Sequence, residues 1–258
     1  MIAKSIGALR RLRLRALMAR ELANAGDVWD AYSAGETPPP LRFRNGLTLY
    51  HGPDDGPVFL FFEIYANGCY RRAVPIPSSG VIVDIGANIG AFVLACAARR
   101  PQVTIDAYEP NPRAFATLRQ NVEANGLSGR VRLFQEAVGG RAGTLRLAIG
   151  GPSLAASGYG ASRDESSSHV DATAVTLGTV VERAGTIALL KIDAEGAEAD
   201  ILSHPRDLES VAAVVGEYHE DLVPGIRARV LAALREAGYS PKTTHGGRCG
   251  PMFSAVRS

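Results

Sequence analysis

The sequence predicts an α/β fold: a doubly wound, mostly parallel, Rossmann-like sheet behind an N-terminal helix and β-hairpin extension. Three observations carry this. From residue 81 onward, apolar runs of strand length alternate with helical stretches. The first run, Val81–Ile85, is apolar but for Asp84, as expected for a strand buried on both faces. It leads into a glycine-bearing turn, Asp84-Ile85-Gly86-Ala87-Asn88-Ile89-Gly90, that opens a helix.

The chain has 258 residues, 46% of them hydrophobic, which suits one α/β domain with a small addition. Residues 1–75 are assigned to the extension and 76–258 to the core. Residues 1–25 have high helix propensity but no clean apolar stripe, because Arg10, Arg11, Arg13 and Arg15 interleave with leucines. The main reading is a solvated terminal helix; a weak contact with a membrane surface or an acidic partner is the second. Thr37-Pro38-Pro39-Pro40 marks a linker. Leu41–Tyr50 and Val58–Tyr65, separated by Gly52-Pro53-Asp54-Asp55-Gly56, are predicted to pair as a hairpin.

In the core, strands are expected at Val81–Ile85, Val103–Tyr108, Val131–Phe134, Ile187–Ile192 and Val211–Tyr218, with two short closing strands near Lys242–Thr244 and Met252–Val256. Asn111 is placed as an N-cap with Pro112 at the first helical position, and Asn125-Gly126 ends that helix. Residues 224–237 read as a helix stopped by Gly238. The Gly- and Ser-rich stretch 149–170 reads as a long loop, either a lid or a disordered segment.

With 28 basic and 26 acidic residues, the net charge of +2 is too small to argue for nucleic acid, and the arginines cluster at the N-terminus instead of near the site, so no nucleic-acid partner is expected. No apolar run reaches the roughly 18 residues that cross a bilayer, and no secretory signal is evident. Cys69, Cys96 and Cys249 fall in no metal-ligand spacing. Three scattered cysteines are read as a reduced, cytoplasmic chain, with Cys96 packed in the core.

The chemistry concentrates after the strands. Gly86 permits the tight turn and Gly90 a close approach; the backbone N–H groups at the helix start, in the turn that holds Ala87 and Asn88, are expected to attract a ligand carboxylate or phosphate. Asp84 is read as a partner for a ligand ammonium or a water. Glu109-Pro110-Asn111 follows the second strand, and a carboxylate there takes ribose hydroxyls. Glu136 and Ala137, after the third strand, lie where an adenine would sit. Asp193 and Glu195, after Ile187–Ile192, fall at the ligand edge of an open parallel sheet. Glu198 is read as a helix-terminus acid.

VIVDIGANIG at 81–90, AYEPNP at 107–112, EAVGG at 136–140, LLKIDAEGAE at 189–198 and Glu217-Tyr218-His219 together resemble the FkbM family of S-adenosylmethionine-dependent methyltransferases. The resemblance covers roughly residues 60–256. It implies a class I methyltransferase fold, a seven-stranded sheet with an antiparallel last strand, and O-methylation of natural-product or sugar hydroxyls. It also implies that Asp84, Gly86, Asn88 and Gly90 hold the methionine part of the donor, Glu109 the ribose, and that Glu136 lies near the adenine. The family often shows Thr-Leu-Asp where this chain has Thr176-Leu177-Gly178.

Catalysis then requires a base for a hydroxyl proton. His219 is the first candidate, on its ordinary pKa of about 6.5, and Asp193 the second. Asp193, Glu195, Glu217 and His219 are also a set that a divalent cation could use, and Lys191 is a partner for one of these carboxylates. Tyr65 and Tyr70 are placed as a wall of the acceptor pocket. Competing readings are a nicotinamide-dependent oxidoreductase, against which the missing middle glycine of G-x-G-x-x-G counts, a non-catalytic nucleotide-binding module, and a nucleic-acid methyltransferase.

Overall fold

The computed structural model of the chain describes residues 2–149, 168–244 and 249–257. The order begins with α1 (Ile2–Glu21), α2 (Ala25–Ala34), β1 (Leu41–Arg42) and β2 (Thr48–Leu49). α3 (Pro57–Leu60) runs on as a π-helix, Phe61–Asn67, and α4 (Cys69–Ala73) follows. Next come β3 (Ser79–Ile85), α5 (Ala91–Arg99), β4 (Gln102–Tyr108), α6 (Pro112–Ala124) and β5 (Val131–Phe134). Then come β6 (Ala137–Gly139), β7 (Gly143–Ile149), β8 (Ser168–Thr176), α7 (Leu177–Ala184), β9 (Ile187–Ile192) and α8 (Glu198–Ile201). The chain finishes with β10 (Ala213–Glu217), α9 (Ile226–Glu236), β11 (Lys242–Thr244) and β12 (Met252–Val256).

The seven-stranded sheet has the order β11-β12-β10-β9-β3-β4-β5. The pairs β10–β9, β9–β3, β3–β4 and β4–β5 are parallel, and β12 is antiparallel to both neighbours. This is the class I methyltransferase arrangement expected from the sequence. The chain steps outward from β3 through β4 to β5, then returns to the other side of β3 with β9. Strands β3 and β9 thus flank a topological switch point, where the connections diverge and a crevice opens at the carboxyl ends.

Side chains alternate across the sheet into two cores. Ile82, Ile105 and Val215 pack with Phe92, Leu94, Leu118 and Val122 of α5 and α6. Val83, Leu190 and Val214 pack on the opposite face with Val180, Val230 and Leu234 of α7 and α9. Met18, Leu22, Val28, Leu41, Phe43 and Leu49, all from the first 50 residues, are buried in the first of these cores. The β1–β2 hairpin is moored on α6 by two side-chain amides one turn apart. Asn125 exchanges hydrogen bonds with the Thr48 backbone (2.8 Å each) and Asn121 with that of Tyr50 (2.7 and 2.9 Å).

Several expectations need correction. The hairpin lies wholly within Leu41–Tyr50, pairing Leu41 with Leu49 across a turn that holds Gly46 at φ +90°. Val58–Tyr65 is helical, not its partner strand. Pro57 starts the helix, and Val58, Leu60, Phe61, Ile64 and Tyr65 are buried while Phe59 is exposed. That is a helical period, hidden in a run that is apolar at nearly every position. Tyr65 is a core residue, stacked on Phe43 with centroids 4.3 Å apart, and is no pocket wall. The reading of three reduced cysteines also falls: Cys69 and Cys249 form a disulfide, and Cys96 alone is free and buried. The two partners lie 180 positions apart, and only the packing of α4 against β10 and β12 brings their Cα atoms to 5.5 Å. The argument from cysteine usage for a reducing compartment goes with it.

A three-stranded sheet, β6-β8-β7, was not anticipated, although Leu145/Leu147 and Ala172/Ala174 alternate with exposed residues as half-buried strands do. Most of the expected loop 149–170 lies outside the described residues; Ile149 closes β7, and Ser168–Val170 open β8. The helix N-cap at Asn111 is as expected, its side chain accepting from Arg113 N at 3.0 Å. At Gly178, where the family often has Asp, an added Cβ would lie 3.2 Å from the Asp207 carboxylate, which takes up that space. Among the described residues, no helix is long and apolar enough to cross a membrane.

Candidate active site

The turn after β3 is fixed by its neighbours. Gly86 sits at φ +74°, and a Cβ there would collide with the carbonyl oxygen of Asp193, at the end of β9. Glycine is therefore required both by conformation and by the crossing of two backbones. Gly90, at φ +88°, abuts Leu118, which a Cβ would meet at 2.6 Å; its reason is packing of α5 against α6. The amides of Gly86 and Ala87 both donate to Tyr108 O (3.0 Å each), and the amide of Asn88 donates to Glu109 Oε2 at 2.8 Å. These donors, expected to face a ligand, are engaged within the fold.

Glu109 is buried, with Oε1 accepting from Asn111 N at 2.8 Å as Oε2 accepts from Asn88 N. Burial pushes its carboxyl up to about 7, against the pull of those two amides. The two bonds fix the orientation of the carboxylate at the lip of a cleft. That cleft spans about 760 Å³ of space, open solvent at its mouth included. Of the residues singled out from sequence, Gly86, Asn88, Glu109, Pro110, Asn111, Glu136, Ala137, Asp193 and Glu195 line it. Ile85, Tyr108, Val138, Leu145 and Leu147 add apolar walls, the last three from the small β6-β8-β7 sheet. Glu136 is held to Arg183 at 2.5 Å.

Asp84 is placed elsewhere. It is fully buried beneath the turn, with Oδ1 3.0 Å from Lys191 Nζ, and is not among the residues that line this cleft. Lys191 also donates to Gly86 O at 2.7 Å. Burial opposes its charge, but Asp84 and Asp193 hold the ammonium well above its ordinary range. The pair braces the turn; it is the role that changes, from ligand contact to support.

A smaller cleft of about 320 Å³ adjoins the first at Gly86, Asn88 and Asp193, and is closed by Leu60, Glu63, Ile64 and Tyr70 from the helical segment, with Ala87 on its floor. Tyr70 donates to Asp193 Oδ2 at 2.9 Å. His219, just past β10, has Nε2 at 3.4 Å from Glu195 Oε2 and 3.8 Å from Asp193 Oδ1, and Nδ1 at 2.8 Å from Glu198 Oε1. Glu195 is held at φ +48°, a left-handed conformation that costs a non-glycine residue about 1–3 kcal/mol. Asp193, Glu195 and His219 offer donor atoms within 4.8 Å of one another, a spacing that also suits a divalent cation. Glu63 was invisible as a site residue, since it arrives on a helix from outside the sheet. Glu198 was set aside as a helix-terminus acid.

The electrostatics are those of crowded, half-buried acids. Burial pushes Glu63 up to about 7, Glu195 to about 7 and Glu217 to about 8, with Asp193 adding repulsion in each case. Burial opposes the His219 imidazolium, but the hydrogen bond to Glu198 and the charges of Asp193, Glu198 and Glu195 outweigh it and raise the pKa to about 10. The expectation of an ordinary, near-neutral imidazole is thereby corrected.

All these groups hold protons to higher pH in the folded than in the unfolded state. Each contributes stability that is complete below its unfolded pKa and lost as pH rises through its folded value. The ligand-free protein is therefore expected to melt at a lower temperature at about pH 9 than at about pH 6. Differential scanning calorimetry across that range checks it; a midpoint that rises with pH contradicts the assigned protonation.

The model of the FkbM methyltransferase domain matches residues 84–241. The 31-O-demethyl-FK506 methyltransferase FkbM of Streptomyces tacrolimicus is 32% identical over 233 residues, spanning 78% of this chain and 88% of that protein. Methyltransferase sdnD of Sordaria araneosa is 29% identical over 214 residues, spanning 70% and 81%. Among solved structures, methyltransferase FkbM from Methylobacillus flagellatus KT shares the fold with a TM-score of 0.50 at 12% identity, covering 97% of this chain and 60% of that one. These matches set aside the oxidoreductase reading, and the chain belongs to the FkbM family of methyltransferases.

Proposed function

We propose that the protein uses S-adenosylmethionine to methylate a hydroxyl group on a small molecule or sugar. The observation that carries this is the meeting of two clefts at Asp193. One is walled by apolar side chains and a buried, oriented Glu109; the other is closed by Tyr70 and Glu63, and the Asp193 that both clefts share lies 3.8 Å from His219 Nε2. The donor set fits the adenosyl compound. Glu109 takes the ribose hydroxyls, Glu136 and Ala137 border the base, and Asp193 and Glu195 supply negative charge for a sulfonium. S-adenosylmethionine supplies a methyl group that is already activated for displacement, so the protein's task is alignment and proton removal.

His219 accepts the hydroxyl proton at Nε2. Its lone pair is exposed only when the imidazole is neutral, so proton removal quickens as pH rises toward about 10. Asp193 and Glu195 stabilise the imidazolium that forms. The O-methyl reading draws support from the name of the Streptomyces relative, which specifies a methylated oxygen.

The test is direct. Calorimetric titration should show binding of S-adenosylmethionine and none of NADH, and 31-O-demethyl-FK506 with a panel of polyols and glycosides should be offered as acceptors. Glu109→Gln should weaken S-adenosylmethionine binding by roughly 10- to 150-fold, the equivalent of about 1.5–3 kcal/mol for bonds to a charged group. Unaltered affinity in that variant removes Glu109 from the cofactor site.

A further inference from the structure

We infer that Glu198 is a positioning residue for His219: its buried carboxylate accepts a hydrogen bond from Nδ1–H, which leaves Nε2 as the nitrogen that faces Asp193 and Glu195 and receives the acceptor's proton. This rests on the reading of His219 as proton acceptor.

Glu198 is fully buried, in the first turn of a four-residue helix. An acid that served only the helix dipole would do so from the surface, where it keeps its hydration. Here Oε1 gathers three donors: His219 Nδ1 at 2.8 Å, Gly196 N at 3.1 Å and Ala194 N at 3.2 Å. Those two amides belong to the loop that carries Asp193 and Glu195. One carboxylate therefore locks the imidazole and both flanking acids into one frame. The contacts at Nε2, 3.4 and 3.8 Å, are too long to orient the ring, so the Nδ1 bond decides which nitrogen faces Asp193 and Glu195. The groups around the ring are Asp193 and Glu195 from the loop after β9, Glu198 from α8, Glu217 at the end of β10 and Glu63 from the π-helix. Among the described residues, only Glu198 reaches Nδ1 within hydrogen-bond distance. In the reaction the acceptor O–H bond breaks, the proton bonds to Nε2 and the electron pair stays on oxygen. The Nδ1–H···Glu198 bond then becomes an ion pair that holds the new charge.

The test uses the full-length protein with ¹⁵N-labelled histidine, observed by ring-nitrogen NMR, with His219→Asn to identify the signal. In wild type the neutral ring should carry its proton on Nδ1. Glu198→Gln keeps an acceptor for Nδ1 and for both amides but loses the charge. The tautomer should persist while the titration midpoint falls by about 1–3 units. Glu198→Met removes the acceptor, and the neutral ring should then populate both tautomers. A Glu198→Gln variant that titrates with wild type overturns the inference, even if the methionine variant fails to fold. On an acceptor that wild type methylates, the pH–rate limb of Glu198→Gln should move down with the midpoint. A purely structural role would lower turnover at every pH and leave the limb in place, which also overturns it. A wild-type protein that methylates nothing leaves the NMR result decisive for Glu198 and refutes the O-methyltransferase reading instead.

Discussion

His219→Gln should lower turnover by roughly 10²- to 10⁴-fold, the usual worth of general-base catalysis, while S-adenosylmethionine binds almost as before. The separation follows from position. His219 lines neither of the two clefts, yet its Nε2 lies within 4 Å of both Asp193 and Glu195. Wild-type turnover should climb between about pH 7 and pH 10, because the imidazole must lose a proton that its carboxylate neighbours retain. Replacing Glu195 with Gln removes one of those neighbours and should shift the climb to lower pH. The same assay after dialysis against EDTA separates a proton network from a cation site at Asp193, Glu195 and His219; undiminished turnover is the expected result. A histidine variant with normal turnover would end its candidacy as the base.

The second large effect concerns Cys69–Cys249. The bond closes a loop of 180 positions, and the chain-entropy account of disulfides gives about 2–5 kcal/mol for removing such a link. A domain of this size loses about 2–4 °C per kcal/mol, so the double serine variant should melt roughly 5–15 °C lower. The functional cost should be selective. Cys69 precedes Tyr70, which holds Asp193, and Cys249 precedes Gly250, which lies against the Glu217 carboxylate. Loosening both should raise KM for the acceptor more than the dissociation constant for S-adenosylmethionine. Melting curves and initial rates with and without reductant measure both; a midpoint indifferent to reductant contradicts the stabilising role.

What the sequence made legible was whatever its chemistry kept local. The Asp84–Gly90 turn, the Asn111 cap and the carboxylates at strand ends each announce themselves within a few residues, and parallel strands must deliver their ends to one edge. Residues 57–67 were illegible as a helix because an unbroken apolar run shows no period. Glu63 was missed for the same reason. Glu198 looked like an ordinary helix-terminus acid, and only the fold brings His219 to it from the next strand. The disulfide joins two cysteines whose proximity depends on α4 meeting β12, which no spacing reveals.

The contact between Gly86 and the Asp193 carbonyl has a bearing on how such enzymes diversify. Where main chain presses on main chain, a side chain at Gly86 has no room, so this edge of the first cleft can be altered only by moving both backbones together. A change in what is methylated is expected instead on Pro57–Ala73, a tethered strip of helix that brings Leu60, Glu63, Ile64 and Tyr70 to the second cleft. Exchanging that strip between relatives is then the economical route to a new acceptor.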